Sequence, residues 1–321
     1  MGGDPNAWWY VGRAGVLLFF VHTSLVLMMS LERQIDKLGD EHTWFRFMLR
    51  RVFRIYPLSI LVVVITVGLQ LPNSNPTLHS MTYVPISKMA FVSNLLLVQN
   101  LTYSPSAPGP LWSLPFEMQM YCLLPLLFMV ATRGRRFATM LLLWGAAVAV
   151  ALVQPSVPYA GRLNVVQFGP CFIPGVIAFF LLLHHKKGFR LPAAAWLFTV
   201  PALVGLYSLS PRRSWVFQWC LCLTTGLLIP FFAEIQNSLL RKGSHLLAKY
   251  SYGIYLCHPA CLYLAFVLLK GWPGYIQWTA FLVLFATIPV TLYHLMEAPL
   301  IAFGAKLANP PPKVKMAVAA T

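Results

Sequence analysis

Long apolar runs dominate the pattern of this chain. Runs of 17 to 21 residues recur along it, and short stretches that carry the basic residues separate them. The hydrocarbon core of a bilayer is about 30 Å thick and needs roughly 20 apolar residues per helix. Continuous runs favour helices over the alternating pattern of a membrane β-barrel. The pattern therefore predicts an all-α fold, a polytopic transmembrane helical bundle.

About nine of these runs are predicted to span the membrane. The spans cover residues 14–30, 55–71, 111–131, 137–153, 165–183, 191–208, 215–234, 251–270 and 276–296. A tenth stretch, 86–101, contains Lys88 together with several amide and hydroxyl side chains, which are costly in lipid. We therefore predict that it forms one partial or interfacial helix.

The loops between these spans carry unequal numbers of lysines and arginines. If 86–101 does not cross, 18 of the 24 basic residues fall on one side and 6 on the other. Short cytoplasmic loops carry the excess of Lys and Arg, so the first side is predicted to face the cytoplasm. A spanning 86–101 would place the basic loop 132–136 outside and spoil this bias. The resulting topology begins outside, so we expect a further helix ahead of residue 1.

Composition and charge agree with a membrane protein. Hydrophobic residues make up 58% of the chain and charged residues 10%. A net charge of +16 would suggest nucleic acid binding in a soluble protein. Here the basic loops set the topology instead, so we expect the lipid bilayer as a partner and no nucleic acid. The six cysteines all lie in apolar segments without zinc-site spacing, so we predict small core residues and no metal.

Arginines cluster before the second predicted span, in the sequence FRFMLRRVFRIYPL. Arg54 follows Arg50 by four residues and Arg51 by three, so the three share one face of a helix. Guanidinium groups suit bidentate binding of phosphate, which favours a site for a phosphorylated donor. Arginines before a membrane helix also anchor it and bind anionic lipid, so both interpretations stay open.

A glutamate interrupts the third predicted span, in the sequence LWSLPFEMQMY. Ser113, Glu117 and Tyr121 recur every four residues and are predicted to line one helix face. An ionisable residue within a span is a functional candidate by default. The predicted topology places Glu117 in the outer half of the bilayer, away from the arginines. The alternative is a structural carboxylate that pairs with an arginine or a backbone donor.

Two histidines are candidates for proton transfer. His258 continues a polar stripe with Ser251 and Tyr255 on an otherwise apolar helix, and His22 lies in the middle of the first span. A neutral imidazole can act as a base or a donor, although packing in the core is the alternative for both. Glu297, near the end of the last span, is expected to pair with a basic loop at the interface.

The order of four motifs resembles the integral-membrane acyltransferase family 3. These motifs are RRVFRIYPL, LWSLPFEMQMY, SYGIYLCH and YHLMEAPL. In addition, GVLLFFVHTSLVLM is similar to the family's second helix. The resemblance covers residues 11–300, as one membrane acyltransferase-like domain, and leaves 301–321 as a short cytoplasmic tail.

The resemblance implies a bundle of ten helices in the bacterial inner (plasma) membrane. It implies transfer of an acyl group, often acetyl, from acyl-CoA to a hydroxyl acceptor on a glycan, lipid or small molecule. Acyl-CoA would be a donor substrate, and no permanently bound cofactor is implied. Arg51 and Arg54, with Arg50 beside them, match the arginines thought to engage the donor phosphates. Glu117 and His258 match the family's outer-side acidic residue and late-helix histidine.

One departure from the family affects the catalytic base. The first helix of the family usually carries an arginine and a histidine in the pattern Arg-x10-His, which this chain lacks. Arg13 and His22 are nine residues apart and fall in the second-helix match. His22 therefore joins Glu117 and His258 as a candidate catalytic residue. A membrane transporter or flippase, and a catalytically inactive acyltransferase-like subunit, are the alternative functions.

Overall fold

Helices form nearly all of the described part of the chain. The computed structural model describes residues 7–39, 41–73, 82–133, 137–156, 160–184, 190–208 and 215–309. Within these ranges the helices are α1 (Ala7–Leu38), α2 (Thr43–Gly68), α3 (Lys88–Leu95), α4 (Leu114–Arg133), α5 (Phe137–Val153), α6 (Gly169–His184), α7 (Trp196–Ser208), α8 (Trp215–Leu228), α9 (Ser238–Leu262), α10 (Gly274–Leu292) and α11 (Ala298–Ala308). A 3-10 turn, Gly109–Ser113, precedes α4, and a π-helical turn, Tyr293–Glu297, joins α10 to α11. The all-α prediction is confirmed.

Several of these helices suit a membrane by length and composition. Four segments are long and apolar enough to cross one: Tyr10–Leu38, Thr43–Gly68, Gly109–Arg133 and Gly274–Ala308. Four shorter apolar helices accompany them: Phe137–Val153, Gly169–His184, Ala193–Ser208 and Trp215–Phe231. The predicted count of nine spans stays a prediction.

The helices extend beyond the apolar runs that predicted them. α2 begins at Thr43, well before the predicted span at 55–71. The length of an apolar run indicates how much of a helix can lie in lipid. The helix itself can be longer, because backbone hydrogen bonds also form between charged residues. As a consequence the three candidate arginines lie inside α2 rather than ahead of it. Arg54 stands about 16 Å along the helix from Thr43, at 1.5 Å per residue.

The partial helix predicted within 86–101 is present as α3. Its eight residues measure about 12 Å, less than half of a bilayer core. The side chain of Asn94 on α3 stabilises the loop that leads to α4. Its side-chain amide donates to the carbonyl of Pro105 over 2.8 Å, and its oxygen accepts from the backbone N–H of Ala107 over 2.9 Å. This loop positions the 3-10 turn at Gly109–Ser113.

α6 is the central helix of the bundle, and 12 of its 16 residues are buried. Small residues let α1 approach it closely, as in other membrane helix pairs. Ser24 of α1 donates from its hydroxyl to the carbonyl of Phe172 over 2.7 Å. A Cβ added at Gly175 would overlap both Ser24 Oγ and the carbonyl oxygen of Val21. The absence of a side chain at Gly175 is therefore what sets the distance between α1 and α6.

One expectation about packing needs correction. Cys122 and Cys220 are exposed, whereas the other four cysteines are buried as predicted. A thiol is apolar enough for an outward helix face, so an apolar segment alone does not predict burial. In the predicted tail 301–321, α11 is helical to Ala308, and residues 310–321 lie outside the described part. The predicted domain limits stay a prediction.

We expect Gly175→Ala to lower the free energy of unfolding by about 1–3 kcal/mol, because the added methyl forces α1 away from α6. Gly205→Ala is the matched control, since an added Cβ there meets nothing within 4 Å. Thermal unfolding of the two purified variants in detergent measures the difference. Equal midpoints for Gly175→Ala and the wild type would contradict the close approach.

Candidate functional site

The helices alternate in direction, which gives the bundle two ends. The start of α1, the end of α2, the start of α4 and the end of α9 meet at one end, which we call the cavity end. The start of α2 and the end of α11 meet at the opposite end, which we call the arginine end. There Arg50 donates from Nη2 to the side-chain oxygen of Asn309 over 2.7 Å. The candidate residues are distributed between these two ends.

A cavity of about 780 Å³ opens at the cavity end. This volume lies in the range of small-molecule binding sites. Its polar lining comprises Arg13, Asn73, Ser106, Trp112, Tyr255 and His258. Asn73 closes the loop between α2 and α3 through paired bonds with the backbone of Val84, each 2.8 Å long. The cavity therefore combines apolar walls with a few polar groups from separate elements.

Arg13 supplies a fixed positive charge to the cavity wall. Its guanidinium carbon lies 5.6 Å from the ring centres of Trp112 and Trp215 and 5.8 Å from that of Phe168. Arg13 Nη2 also donates to the side-chain oxygen of Gln218 over 3.2 Å. Cation–π contacts of this kind hold a guanidinium without neutralising it. The cavity wall thus presents a positive charge beside a tryptophan face.

His258 lines the cavity in a defined tautomer. Pro259 follows it in α9 and has no N–H to donate to the carbonyl of Tyr255, four residues earlier. His258 Nδ1 lies 2.7 Å from that carbonyl oxygen. A carbonyl only accepts, so Nδ1 carries the proton and Nε2 is left with its lone pair. The sequence His-Pro within a helix thereby produces an imidazole whose Nε2 can accept a proton.

Buried hydroxyls and a carboxylate follow one another from the cavity wall into the bundle. The hydroxyl of Tyr255 donates to the carbonyl of Pro110 over 2.8 Å, so Ser113 is the donor in its 3.1 Å bond to Tyr255. Glu117, only 4% exposed, accepts at Oε2 from the hydroxyl of Tyr121 over 2.9 Å. The predicted helix face of Ser113, Glu117 and Tyr121 is therefore buried and carries two separate hydrogen bonds.

Arg51 approaches the same helix face from the other side. Its guanidinium carbon lies 5.6 Å from the ring centre of Phe47, and that ring packs edge-on against the ring of Tyr121, with centres 6.3 Å apart. Tyr121 therefore lies between the carboxylate of Glu117, which accepts from its hydroxyl, and the ring that Arg51 covers. The expected position of Glu117 in the outer half of the bilayer, away from the arginines, stays a prediction.

Glu297 is a buried residue that the sequence analysis placed at an interface. It is 1% exposed, and neither carboxylate oxygen has a hydrogen-bond partner among the described residues. The expected pairing with a basic loop is wrong, because a π-helical turn directs Glu297 into the bundle. The motif YHLMEAPL singled out Glu297 in the sequence but did not indicate its direction.

His22 lies apart from the other candidates. Its side chain is exposed on α1, on the same face as Phe19 and Val26, and it does not line the cavity. The structure thus brings Ser113 against Tyr255 at the wall that holds His258, and leaves His22 outside. In the described ranges no three His, Cys, Asp or Glu side chains form a metal-binding group.

Comparisons with known proteins give one extensive match. A sequence model of the acyltransferase 3 family, described as "Acyltransferase domain", matches residues 1–295. The protein "Regulator of hypoxia-inducible factor 1" from Caenorhabditis elegans is 30% identical over 115 residues. This match covers 35% of the present chain and 22% of that protein, so the chain spans well under two thirds of that relative. No solved structure matches significantly.

We expect Tyr121→Phe to destabilise the protein by about 1–3 kcal/mol, because it removes a donor from a buried carboxylate. Tyr275→Phe is the matched control, since Tyr275 is 73% exposed and lies far from Glu117 in the chain. The unfolding midpoint of each variant in detergent is the measurement. A midpoint of Tyr121→Phe that equals that of the control would contradict the hydrogen bond to Glu117.

Proposed function

Because the chain belongs to the acyltransferase 3 family, we propose that it is a membrane O-acyltransferase. It moves an acyl group, often acetyl, from acyl-CoA to a hydroxyl of a glycan, a lipid or a small molecule. We propose nine membrane spans, a bacterial inner (plasma) membrane location, and an arginine end that faces the cytoplasm. The charge bias of the loops supports this orientation, with 18 basic residues on the cytoplasmic side.

The donor binds at the arginine end. Acyl-CoA carries several phosphates, and Arg50, Arg51 and Arg54 share one face of α2. The Nε groups of Arg50 and Arg51 are buried without a hydrogen-bond partner in the described part of the chain. Buried N–H groups that have no hydrogen-bond partner in the protein favour an anionic ligand. Arg50 and Arg51 therefore hold the phosphates, with Arg54 deeper in the bundle.

The acceptor binds in the cavity. The cavity suits a hydroxyl compound that has one apolar side and one polar side. Its apolar walls and the face of Trp112 can contact the apolar side, and the guanidinium of Arg13 and His258 can contact the polar side. Tyr252 of α9 donates to the carbonyl of Ile55 over 2.7 Å, which puts Tyr252 level with Arg54. His258 lies six residues farther along α9, about 9 Å at 1.5 Å per residue. The pantetheine arm of CoA separates its phosphates from the thioester and is suited to cover this distance.

The transfer proceeds by nucleophilic attack of the acceptor hydroxyl on the thioester. His258 Nε2 removes the proton from the acceptor hydroxyl as its oxygen attacks the thioester carbonyl. A C–O bond forms and the C–S bond breaks, and the CoA thiolate leaves. The imidazolium then returns the proton to the thiolate, so the products are an ester and CoA. Glu117 accepts from Tyr121 next to this wall, on the helix of Ser113, and is a positioning residue.

One observation supports His258 as the base. Pro259 cannot donate to the carbonyl of Tyr255, and Nδ1 of His258 bonds that carbonyl instead. The lone pair of Nε2 therefore points away from the helix backbone. His22, exposed on α1, has no comparable arrangement. The basic test is transfer of a labelled acyl group from acyl-CoA to the lipid or glycan fraction of membranes that contain the protein. No transfer to any fraction would refute the proposed function.

We expect His258→Gln to lower kcat by about 10²–10⁴-fold, the usual contribution of a general base. Glutamine still donates to the carbonyl of Tyr255, so the helix keeps its bond while the base is lost. His184→Gln is the matched control, because His184 Nδ1 also lies near a carbonyl of its own helix, 3.0 Å from Phe180, but at the arginine end. Full activity in His258→Gln would remove the residue from the reaction.

We expect Arg51→Ala to raise the KM for acyl-CoA by about 10- to 100-fold, since hydrogen bonds to charged groups are worth about 1.5–3 kcal/mol. The KM for the acceptor should stay within twofold. Arg33→Ala serves as the control, because Arg33 is exposed at the same end and bonds the carbonyl of Met29 in its own helix. An unchanged donor KM in Arg51→Ala would exclude a phosphate contact.

A further inference from the structure

Lys249 of α9 is a cation that two aromatic rings hold in place. Its Nζ lies 5.0 Å from the ring centre of Tyr250 and 4.7 Å from that of Tyr293 in the π-helical turn. The side chain is partly exposed, and within the described ranges its ammonium has no hydrogen bond or ion pair. Cation–π contacts position a cation without neutralising it. Lys249 therefore presents a positive charge whose N–H groups are available to a ligand.

The rings around Lys249 are themselves fixed by contacts with each other. Tyr250 and Tyr293 meet edge to face, with ring centres 5.2 Å apart and an angle of 88° between their planes. The hydroxyl of Tyr250 lies 3.0 Å from Nε2 of His294. The carboxylate of this turn, Glu297, is buried and has no hydrogen-bond partner in the described part of the chain, so it does not bond Lys249. We call Lys249, Tyr250, Tyr293 and His294 the Lys249 cluster.

A hydrogen bond between two helices places this cluster level with the arginines of the proposed donor site. Tyr252 of α9 donates to the carbonyl of Ile55 of α2 over 2.7 Å, and both helices run from the arginine end to the cavity end. Lys249 comes three residues before Tyr252, about 4.5 Å nearer the arginine end at 1.5 Å per residue. Arg51 comes four residues before Ile55, about 6 Å nearer that end. Lys249 and Arg51 therefore lie at one level on neighbouring helices.

The chemistry of acyl-CoA provides two kinds of phosphate for this level. A pyrophosphate joins the pantetheine arm to the adenosine, and a separate phosphate monoester is attached to the 3′ oxygen of the ribose. The pantetheine arm extends inward from the arginines in the proposed reaction, so the adenosine lies on the outer side of the pyrophosphate. Guanidinium groups suit a pyrophosphate, whereas the compact ammonium of a lysine binds one phosphate as a point charge. The partly exposed Lys249 matches the outer phosphate.

We propose that the Lys249 cluster is the subsite for the ribose 3′-phosphate of the donor, and that the ammonium of Lys249 makes the contact. This inference rests on the proposed function, in which acyl-CoA is the donor. The two tyrosine rings hold the ammonium in position before the donor arrives, which reduces the side-chain entropy lost on binding. Arg50 and Arg51 hold the pyrophosphate, and Lys249 distinguishes acyl-CoA from donors that lack the 3′-phosphate.

The first test compares two donors, acyl-CoA and acyl-3′-dephospho-CoA, with the full chain in nanodiscs. The wild type should have a KM for acyl-CoA about tenfold below that for the dephospho donor, in line with one contact between charged groups. Lys249→Met keeps the length of the side chain but removes its charge. Its KM for acyl-CoA should rise to that of the dephospho donor, whose own KM should not change. Lys249→Arg should recover part of the preference.

Two further variants separate this subsite from general effects of charge. Lys242→Met removes an exposed basic residue about 10 Å farther along the same helix, and it should leave both KM values unchanged. Arg51→Ala should raise both KM values and keep their ratio, because both donors contain the pyrophosphate. An unchanged donor preference in Lys249→Met would overturn the subsite. A loss of the preference in Lys242→Met would overturn it as well, because the effect would then come from the charge of the whole surface.

The second test needs no activity and identifies the source of the phosphate. Calorimetric titration in phosphatidylcholine nanodiscs should show that the wild type binds CoA about tenfold more tightly than 3′-dephospho-CoA, whereas Lys249→Met binds both equally. The titrations are repeated in nanodiscs that also contain the anionic phosphatidylglycerol. If Lys249→Met changes CoA binding only in those nanodiscs, Lys249 contacts a lipid phosphate and the donor subsite is overturned. If Lys249→Met does not fold, Lys249→Gln takes its place.

The outcomes separate this inference from the proposed function. Equal affinity of the wild type for CoA and 3′-dephospho-CoA would overturn the subsite, while acyl transfer would still stand. A wild type that transfers no acyl group would refute the proposed function. In that case a preference for CoA that Lys249→Met abolishes would still support the phosphate subsite, and failure to bind CoA would overturn it.

Discussion

A bilayer offers no hydrogen-bond partners, so a polar group that a spanning helix carries is stable only when the protein itself satisfies it. This constraint organises the interior of the protein. Glu117 accepts from the hydroxyl of Tyr121 within its own helix, and Tyr255 brings α9 against the start of α4 through bonds with Pro110 and Ser113. Tyr252 bonds the backbone of α2. The polar groups thus determine how α2, α4 and α9 meet.

The same constraint connects the two ends of the bundle. Apolar contacts tolerate small shifts of one helix along another, whereas hydrogen bonds and charge pairs require fixed heights. The level of Arg54 in α2 is tied to Tyr252 in α9, and the level of Ser113 in α4 is tied to Tyr255. The proposed phosphate site and the proposed hydroxyl site, both built on these helices, are therefore held at a constant separation. Acyl transfer between two substrates benefits from such a constant distance.

Sequence patterns predicted the membrane class, the partial helix at α3 and the shared face of Ser113, Glu117 and Tyr121, because these depend on local spacing. They did not reveal that α2 begins at Thr43, since an apolar run marks where lipid begins and not where the helix begins. They also misplaced Glu297. Its direction depends on a π-helical turn, and five ordinary residues carry no signal for that geometry. The cavity depends on four separate segments, which spacing within one segment does not reveal.

The π-helical turn has a further consequence for how such a site can arise. A π turn holds more residues than the α-helical turn it replaces, so it corresponds to an insertion within a continuous helix. One extra residue in a regular α-helix would rotate everything that follows by about 100°, the angle of one residue. A π turn takes up that residue locally, so α11 still packs against α2, where Arg50 bonds Asn309, while Glu297 is buried. A single additional residue is therefore enough to place a carboxylate in the interior without displacing the helix beyond it.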